Sequence, residues 1–125
     1  MVEKTQLASV ISRIFKLNKK IRYIAIIADS GKILSSEMKL DKQSLLKQQN
    51  EEKFCKDVVK RKKMRRGFDR SLGKVRYVNV ERENITQIVT YINSKSFFVT
   101  IEPELTIIAK EQLIAKIKKA ITDIE

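Results

Sequence analysis

The sequence predicts an α+β fold, a three-layer sandwich in which a five-stranded antiparallel sheet lies between helices in the order α-β-β-α-β-β-β-α. Three observations carry this. Residues 21–29, IRYIAIIAD, are apolar on both sides of a period-two pattern, so a strand there must be covered on both faces. Three runs rich in β-branched and aromatic residues follow between residues 74 and 102, with junctions short enough for hairpins. Near each end of the chain, apolar residues recur at three- and four-residue spacing, the signature of an amphipathic helix. Those two helices are expected together on one face of the sheet, with a long middle helix on the other.

In the first segment Leu7, Val10, Ile11, Ile14, Phe15 and, less regularly, Leu17 form the helical stripe, with Thr5 as expected N-cap. In the strand that follows, Ile21, Tyr23, Ala25 and Ile27 are expected on one side and Ile24, Ile26 and Ala28 on the other. DSGK, residues 29–32, supplies turn chemistry: Gly31 accepts positive φ, and Asp29 can bond to the backbone ahead of it. A hairpin into KILSSEM, residues 32–38, is therefore expected.

Asp41 can cap a second helix over residues 42–66, whose apolar positions are Leu45, Leu46, Phe54, Cys55, Val58, Val59 and Met64. That stripe is thin, and the polar KQQNEE between Leu46 and Phe54 predicts a break or a loosely held end. Gly67 can end the helix, and FDRSLG, residues 68–73, reads as a link. The three strands are then KVRYVNVER (74–82), ITQIVTYIN (85–93) and KSFFVTIE (95–102). After Pro103, Ile107, Ile108, Leu113, Ile114, Ile117, Ala120, Ile121 and Ile124 return to helical spacing, and the last helix is expected to start between Glu104 and Ala109.

The bulk numbers suit one domain, residues 1–125, with 42% hydrophobic and 34% charged residues and only three glycines and one proline. Twenty-seven basic against fifteen acidic residues leave a net charge of +12, which favours a negative partner: nucleic acid, an acidic leaflet or an acidic protein surface. The single cysteine excludes an internal disulfide and suits a reducing compartment. No stretch approaches the ~18 apolar residues of a membrane span, so no span and a cytoplasmic location are expected.

Catalysis is not expected. The chain has no histidine, which removes the commonest general base and zinc ligand. Cys55, beside Phe54 and close to Val58 and Val59, reads as a small core residue with nothing to activate it. Gly31-Lys32 lacks the rest of a phosphate loop and leads into a strand instead of a helix. Glu51 with Glu52, and Glu81 with Glu83, lack the contrasting environments of an acid–base pair. No cofactor or metal site is expected.

KRKKMRRGFDR, residues 60–70, holds Lys60, Arg61, Lys62, Lys63, Arg65, Arg66 and Arg70 against Asp69 alone. On a helix Phe54, Val58 and Lys62 share one line, and Cys55, Val59 and Lys63 the next, so the apolar stripe runs directly into charge. Like charges at 61/65 and 62/66 cost helix stability, partly relieved by the dipole at the helix C-terminus. The run reads as a solvated surface, a docking face for an acidic protein, or a grip on phosphate or anionic lipid. For phosphate, Arg61, Arg65 and Arg66 are the bidentate candidates, although only Phe68 supplies a stacking ring within the run.

The order of elements, together with IRYIAIIADSGKILSSEM, resembles the roadblock family of profilin-like fold, as in small single-domain archaeal or bacterial members. The resemblance covers nearly the whole chain and rests on element order and the opening hairpin; PAS, longin and profilin domains use related layers. It implies a non-enzymatic homodimer built by middle helices packing together, here 42–66, and third strands pairing edge to edge, here 74–82. Such dimers serve as platforms for Ras-like small GTPases or larger assemblies. The dimer residues it implies are Phe54, Val58, Arg76, Val78 and Val80. Two copies of the basic run, each of net charge +6, would flank that contact, and Lys74, Arg76 and Arg82 are charges of the kind that protect an edge. The expected function is a non-catalytic interaction module, a regulator or scaffold for a small GTPase acting through its basic middle helix. The alternatives are a sequence-independent nucleic-acid binder and a PAS-like ligand sensor, which would need an internal pocket.

Overall fold

The computed structural model describes residues 2–39 and 48–122. Its elements are α1 (Val2–Leu17), β1 (Ile21–Ala28), β2 (Ile33–Met38), α2 (Gln48–Arg66), α3 (Asp69–Leu72), β3 (Val78–Glu81), β4 (Thr86–Ile92), β5 (Lys95–Ile101) and α4 (Ile107–Thr122). The five strands form one sheet in the order β2-β1-β5-β4-β3. Every neighbouring pair is antiparallel. β1 therefore has a strand on each side, as its two-sided apolar pattern requires, and β2 and β3 are the edges.

The helices sort to the two faces as expected. Val10, Ile11 and Ile14 of α1 and Ile114, Ile117 and Ile121 of α4 are buried with Ile24, Ile26, Ile88, Phe97, Val99 and Ile101 of the sheet. Full burial of such side chains stabilises by about 1.5–3 kcal/mol each, so this layer holds most of the fold's apolar free energy. On the opposite face Cys55, Val58 and Val59 of α2 meet Ala25, Ile27, Val89 and Phe98, with Phe54 and Tyr23 at the margin. That cluster is smaller, as the thin stripe predicted, and α2 needs other attachments.

Several details differ from the sequence reading. The ladder steps from Ile21↔Ile101 to Tyr23↔Thr100, so Arg22 is an extra residue. Ile21 thereby joins Ile24 and Ile26 on the α1/α4 side, not Tyr23 on the other. Thr5 lies within α1, which begins at Val2, and so does not cap it. Asp41, Leu45 and Leu46 lie outside the described residues. Gly31 does take φ +92°, closing a turn in which its N–H donates to the Ala28 carbonyl (2.8 Å). A Cβ there would stand 3.0 Å from Lys56 Cγ, so the turn sits against α2. Met64 is not part of the stripe but faces solvent.

The segment read as a link contains α3, closed by Leu72 N–H to the Phe68 carbonyl and Gly73 N–H to the Asp69 carbonyl, both 2.8 Å. Positive φ falls on Gly73 (+85°), not on Gly67. Residues 74–77 stay outside the ladder, so β3 is about half the predicted length.

One ion pair fastens the β3 edge to α4. Lys110 Nζ, buried, donates to Glu81 Oε1 at 2.6 Å, and Thr86 Oγ1 donates to the same oxygen at 2.9 Å. The hydrogen bond from Lys110 is the largest cause holding the Glu81 carboxyl below its ordinary 4.5; partial burial opposes it, and Thr86 and Asn79 add to it. Because the folded value is the depressed one, this contribution is complete above the unfolded value and is lost as pH falls through the folded value. Wild type should thus melt above Glu81→Gln at about pH 7, with the gap narrowing as pH falls below the ordinary carboxylate range. Thermal unfolding of both proteins across that range checks this, and a gap undiminished at the acid end would contradict it.

Candidate functional site

The basic run divides by direction. Val58, Val59 and Lys62 share the inward side of α2, and Lys62 is only 2% exposed. Its ammonium donates to Asp29 Oδ1 (2.7 Å), to the Asn93 carbonyl (2.8 Å) and to the Lys95 carbonyl (3.3 Å), so all three protons have acceptors. It also stands 5.9 Å from the centre of the Tyr91 ring. Asn93, at φ +51° in the tight β4–β5 turn, offers the same carbonyl to Arg66 Nη2 at 2.9 Å. Arg65 Nη1 donates to the Tyr91 hydroxyl at 2.6 Å. Lys62, Arg65 and Arg66 therefore tie the end of α2 to the β1–β2 turn and the β4–β5 hairpin. They line a cleft of about 250 Å³ with Asp69, Lys74 and Tyr91.

These contacts correct two sequence expectations. Lys62 is structural and presents no charge to a partner. Asp29 bonds to Lys62 rather than to its own turn's backbone. Of the three bidentate candidates, Arg65 donates to the Tyr91 hydroxyl and is partly buried, whereas Arg61, paired with Asp57 one helical turn away (2.8 Å), and Arg66, bonded to the Asn93 carbonyl, stay exposed. Lys60, Arg61, Lys63, Arg66 and Arg70 are the exposed cations of the run.

The residues expected at a dimer contact also separate. Phe54 packs on Phe98, ring centres 5.1 Å apart, and Val58 is buried, so both serve the protomer's own core. Val78 is partly buried against that core, while Arg76 and Val80 are exposed beside the open edge of β3. Sequence reading missed a second row. Met64, Phe68 and Leu72 follow at four-residue intervals through the end of α2 into α3 and are 63%, 62% and 80% exposed. Their spacing was a visible signal, but Gly67 and the polar composition of FDRSLG concealed that the helical path resumes.

Cys55 is buried, and burial is the first cause pushing its thiol up to about 11, with Glu51 and Glu52 adding to it. From an ordinary value of 9.0, that leaves roughly 100-fold less thiolate near neutral pH. Iodoacetamide should accordingly alkylate the folded protein about 100-fold more slowly than the urea-unfolded chain, read by mass spectrometry. Equal rates would place the thiol in solvent. Among the described residues no cluster of three His, Cys, Asp or Glu could hold a metal, and no helix is long and apolar enough to cross a membrane.

Residues 8–124 match the model of a family of unknown function, DUF6659. The chain belongs to that family. No curated protein sequence matches it significantly. Solved structures do resemble the DUF6659 chain. The gliding protein MglB of Thermus thermophilus superposes with TM-score 0.74 at 10% identity, over 93% of this chain and 85% of that one. Myxococcus xanthus MglB gives TM-score 0.73 at 14% identity, over 98% and 89%. A roadblock/LC7 domain from Streptomyces avermitilis gives 0.62 at 14%, over 86% and 90%. The DUF6659 chain thus has the roadblock fold, as the element order and opening hairpin implied.

Proposed function

We propose that the protein is a non-catalytic interaction module that self-associates through the outer side of α2, α3 and the β3 edge, and that it regulates or scaffolds a Ras-like small GTPase. The supporting observations are three exposed apolar side chains at four-residue intervals, Met64, Phe68 and Leu72, and an unpaired sheet edge that carries exposed Val80. Large apolar side chains exposed close together in the chain suit an interaction site, and an open edge is a template for another strand. The GTPase assignment rests on the roadblock resemblance and on charge: Lys60, Arg61, Lys63 and Arg70 are exposed in the same stretch of chain and suit an acidic partner surface. A nucleic-acid grip is less well supported, because Lys62 and Arg65 are spent within the chain.

Sedimentation across protein concentration and salt tests the self-association. Between about 50 and about 500 mM salt the screening length falls from roughly 14 to 4 Å, so repulsion between the two cationic stretches weakens and the dimer should tighten several-fold. A monomer at every concentration and salt would remove the reading. Binding assays against Ras-like GTPases loaded with GDP or GTP test the partner. Duplex DNA titrated in parallel, showing affinity that falls steeply with salt, would favour the nucleic-acid alternative instead.

A further inference from the structure

Among the described residues, nothing fills the sheet face beneath the first turns of α2. The start of α2 before Phe54 brings, among the described residues, only the polar Asn50, Glu51, Glu52 and Lys53 to this end of the sheet. A cavity of about 490 Å³ remains, within the range of small-molecule sites. Tyr23, Phe54 and Phe98 form an aromatic wall, with Tyr23 edge-on to Phe98 at 6.3 Å and Phe54 at 5.1 Å from it. Met38, Cys55 and Ile85 complete the apolar lining.

Among the described residues, one polar group in the lining has no hydrogen-bond partner. Thr100 is 5% exposed, and its Oγ1 is buried without a hydrogen bond. A buried hydroxyl left unpaired is costly, and such groups in native proteins call for an explanation. The hydroxyls of Thr90 and Ser96 are likewise unpaired, but neither lines the cavity. The walls carry no charge near neutral pH: burial pushes the Tyr23 phenol up to about 12 and the Cys55 thiol up to about 11. At the rim Arg22 and Arg82 are matched by Glu51 and Glu83, so no net sign selects an ion.

We propose that this cavity binds a small neutral molecule, mainly apolar and aromatic, whose one hydrogen-bonding group meets Thr100 Oγ1. The inference goes beyond the interaction module, because the cavity lies between α2 and the sheet and the exposed Met64, Phe68 and Leu72 do not line it. A ligand here would brace the end of α2 that the apolar stripe holds least.

The test uses N-phenyl-1-naphthylamine, a neutral aromatic amine whose fluorescence rises in apolar surroundings and which the chain's positive charge does not attract. Titration of the full chain should give saturable one-to-one binding, with amide shifts at Tyr23, Phe98 and Thr100 in NMR spectra. Thr100→Val keeps shape and removes the hydroxyl, and should weaken binding about fivefold, the scale of one hydrogen bond. Cys55→Phe, which fills the cavity, should abolish it. Should that variant fail to fold, Thr100→Val and the shift map still decide. Absence of saturable binding, shifts centred on Met64, Phe68 and Leu72, or an unchanged affinity in Thr100→Val would each overturn the proposal. Self-association measured on the same samples keeps its outcome separate.

Discussion

Asp29→Ala should lower the folding free energy by about 3 kcal/mol, the low end of what breaking a buried ion pair costs. The substitution removes the carboxylate bonded to Lys62, whose charge is enclosed by protein while Asp29 itself is about one-third exposed. The other acceptors, the Asn93 and Lys95 carbonyls, are neutral and cannot offset a desolvated ammonium. Lys62→Met should cost less, because it removes the buried charge and leaves Asp29 near Arg66 and water. The double variant should be more stable than Asp29→Ala alone. Urea unfolding checks this through midpoints that shift at constant slope. Additive single losses would mean that the pair does not couple.

Phe68→Ser combined with Leu72→Ser should weaken self-association about 1,000-fold, some 4 kcal/mol, while leaving the protomer's stability nearly unchanged. In a twofold dimer each substitution acts twice, so two modest losses of apolar burial per copy reach that size. Both side chains are mostly exposed, so the protomer loses little packing when they shrink. Sedimentation or light scattering reads the dimer, and thermal unfolding of dilute samples reads the protomer. Phe54→Ala provides the contrast: its ring packs on Phe98, and its loss should show chiefly as reduced protomer stability. If the serine variant stays dimeric, the contact lies elsewhere.

The layer arrangement was readable because periodicity is local. Ile24 and Ile26 alternate with Ala25 and Ile27, and no tertiary information is needed to see that both sets must be buried. The same logic supplied the α1 and α4 stripes. It was less reliable where one residue changes the count: the extra residue Arg22 moves Ile21 to the opposite face, and nothing in IRYIAIIAD marks that shift.

The candidate site was legible as composition but not as geometry. Seven cations within eleven residues announce a basic feature, and the line through Phe54, Val58 and Lys62 even placed one lysine on the buried stripe. Whether such a lysine points into solvent or into the protein depends on what waits beneath it. Here Asp29 arrives from a turn 33 positions earlier, and the Asn93 carbonyl from a hairpin 31 positions later.

Taken alone, the sequence determined the order of elements, the two-sided central strand and the sign of the charge, since each follows from neighbours along the chain. Only the tertiary structure decided which cations are spent on the fold, which apolar side chains stay outside, and where a gap opens beneath α2. Those outcomes depend on groups far apart in sequence meeting at distances of a few ångströms, and the energy of a buried charge or an unfilled cavity is set by that meeting.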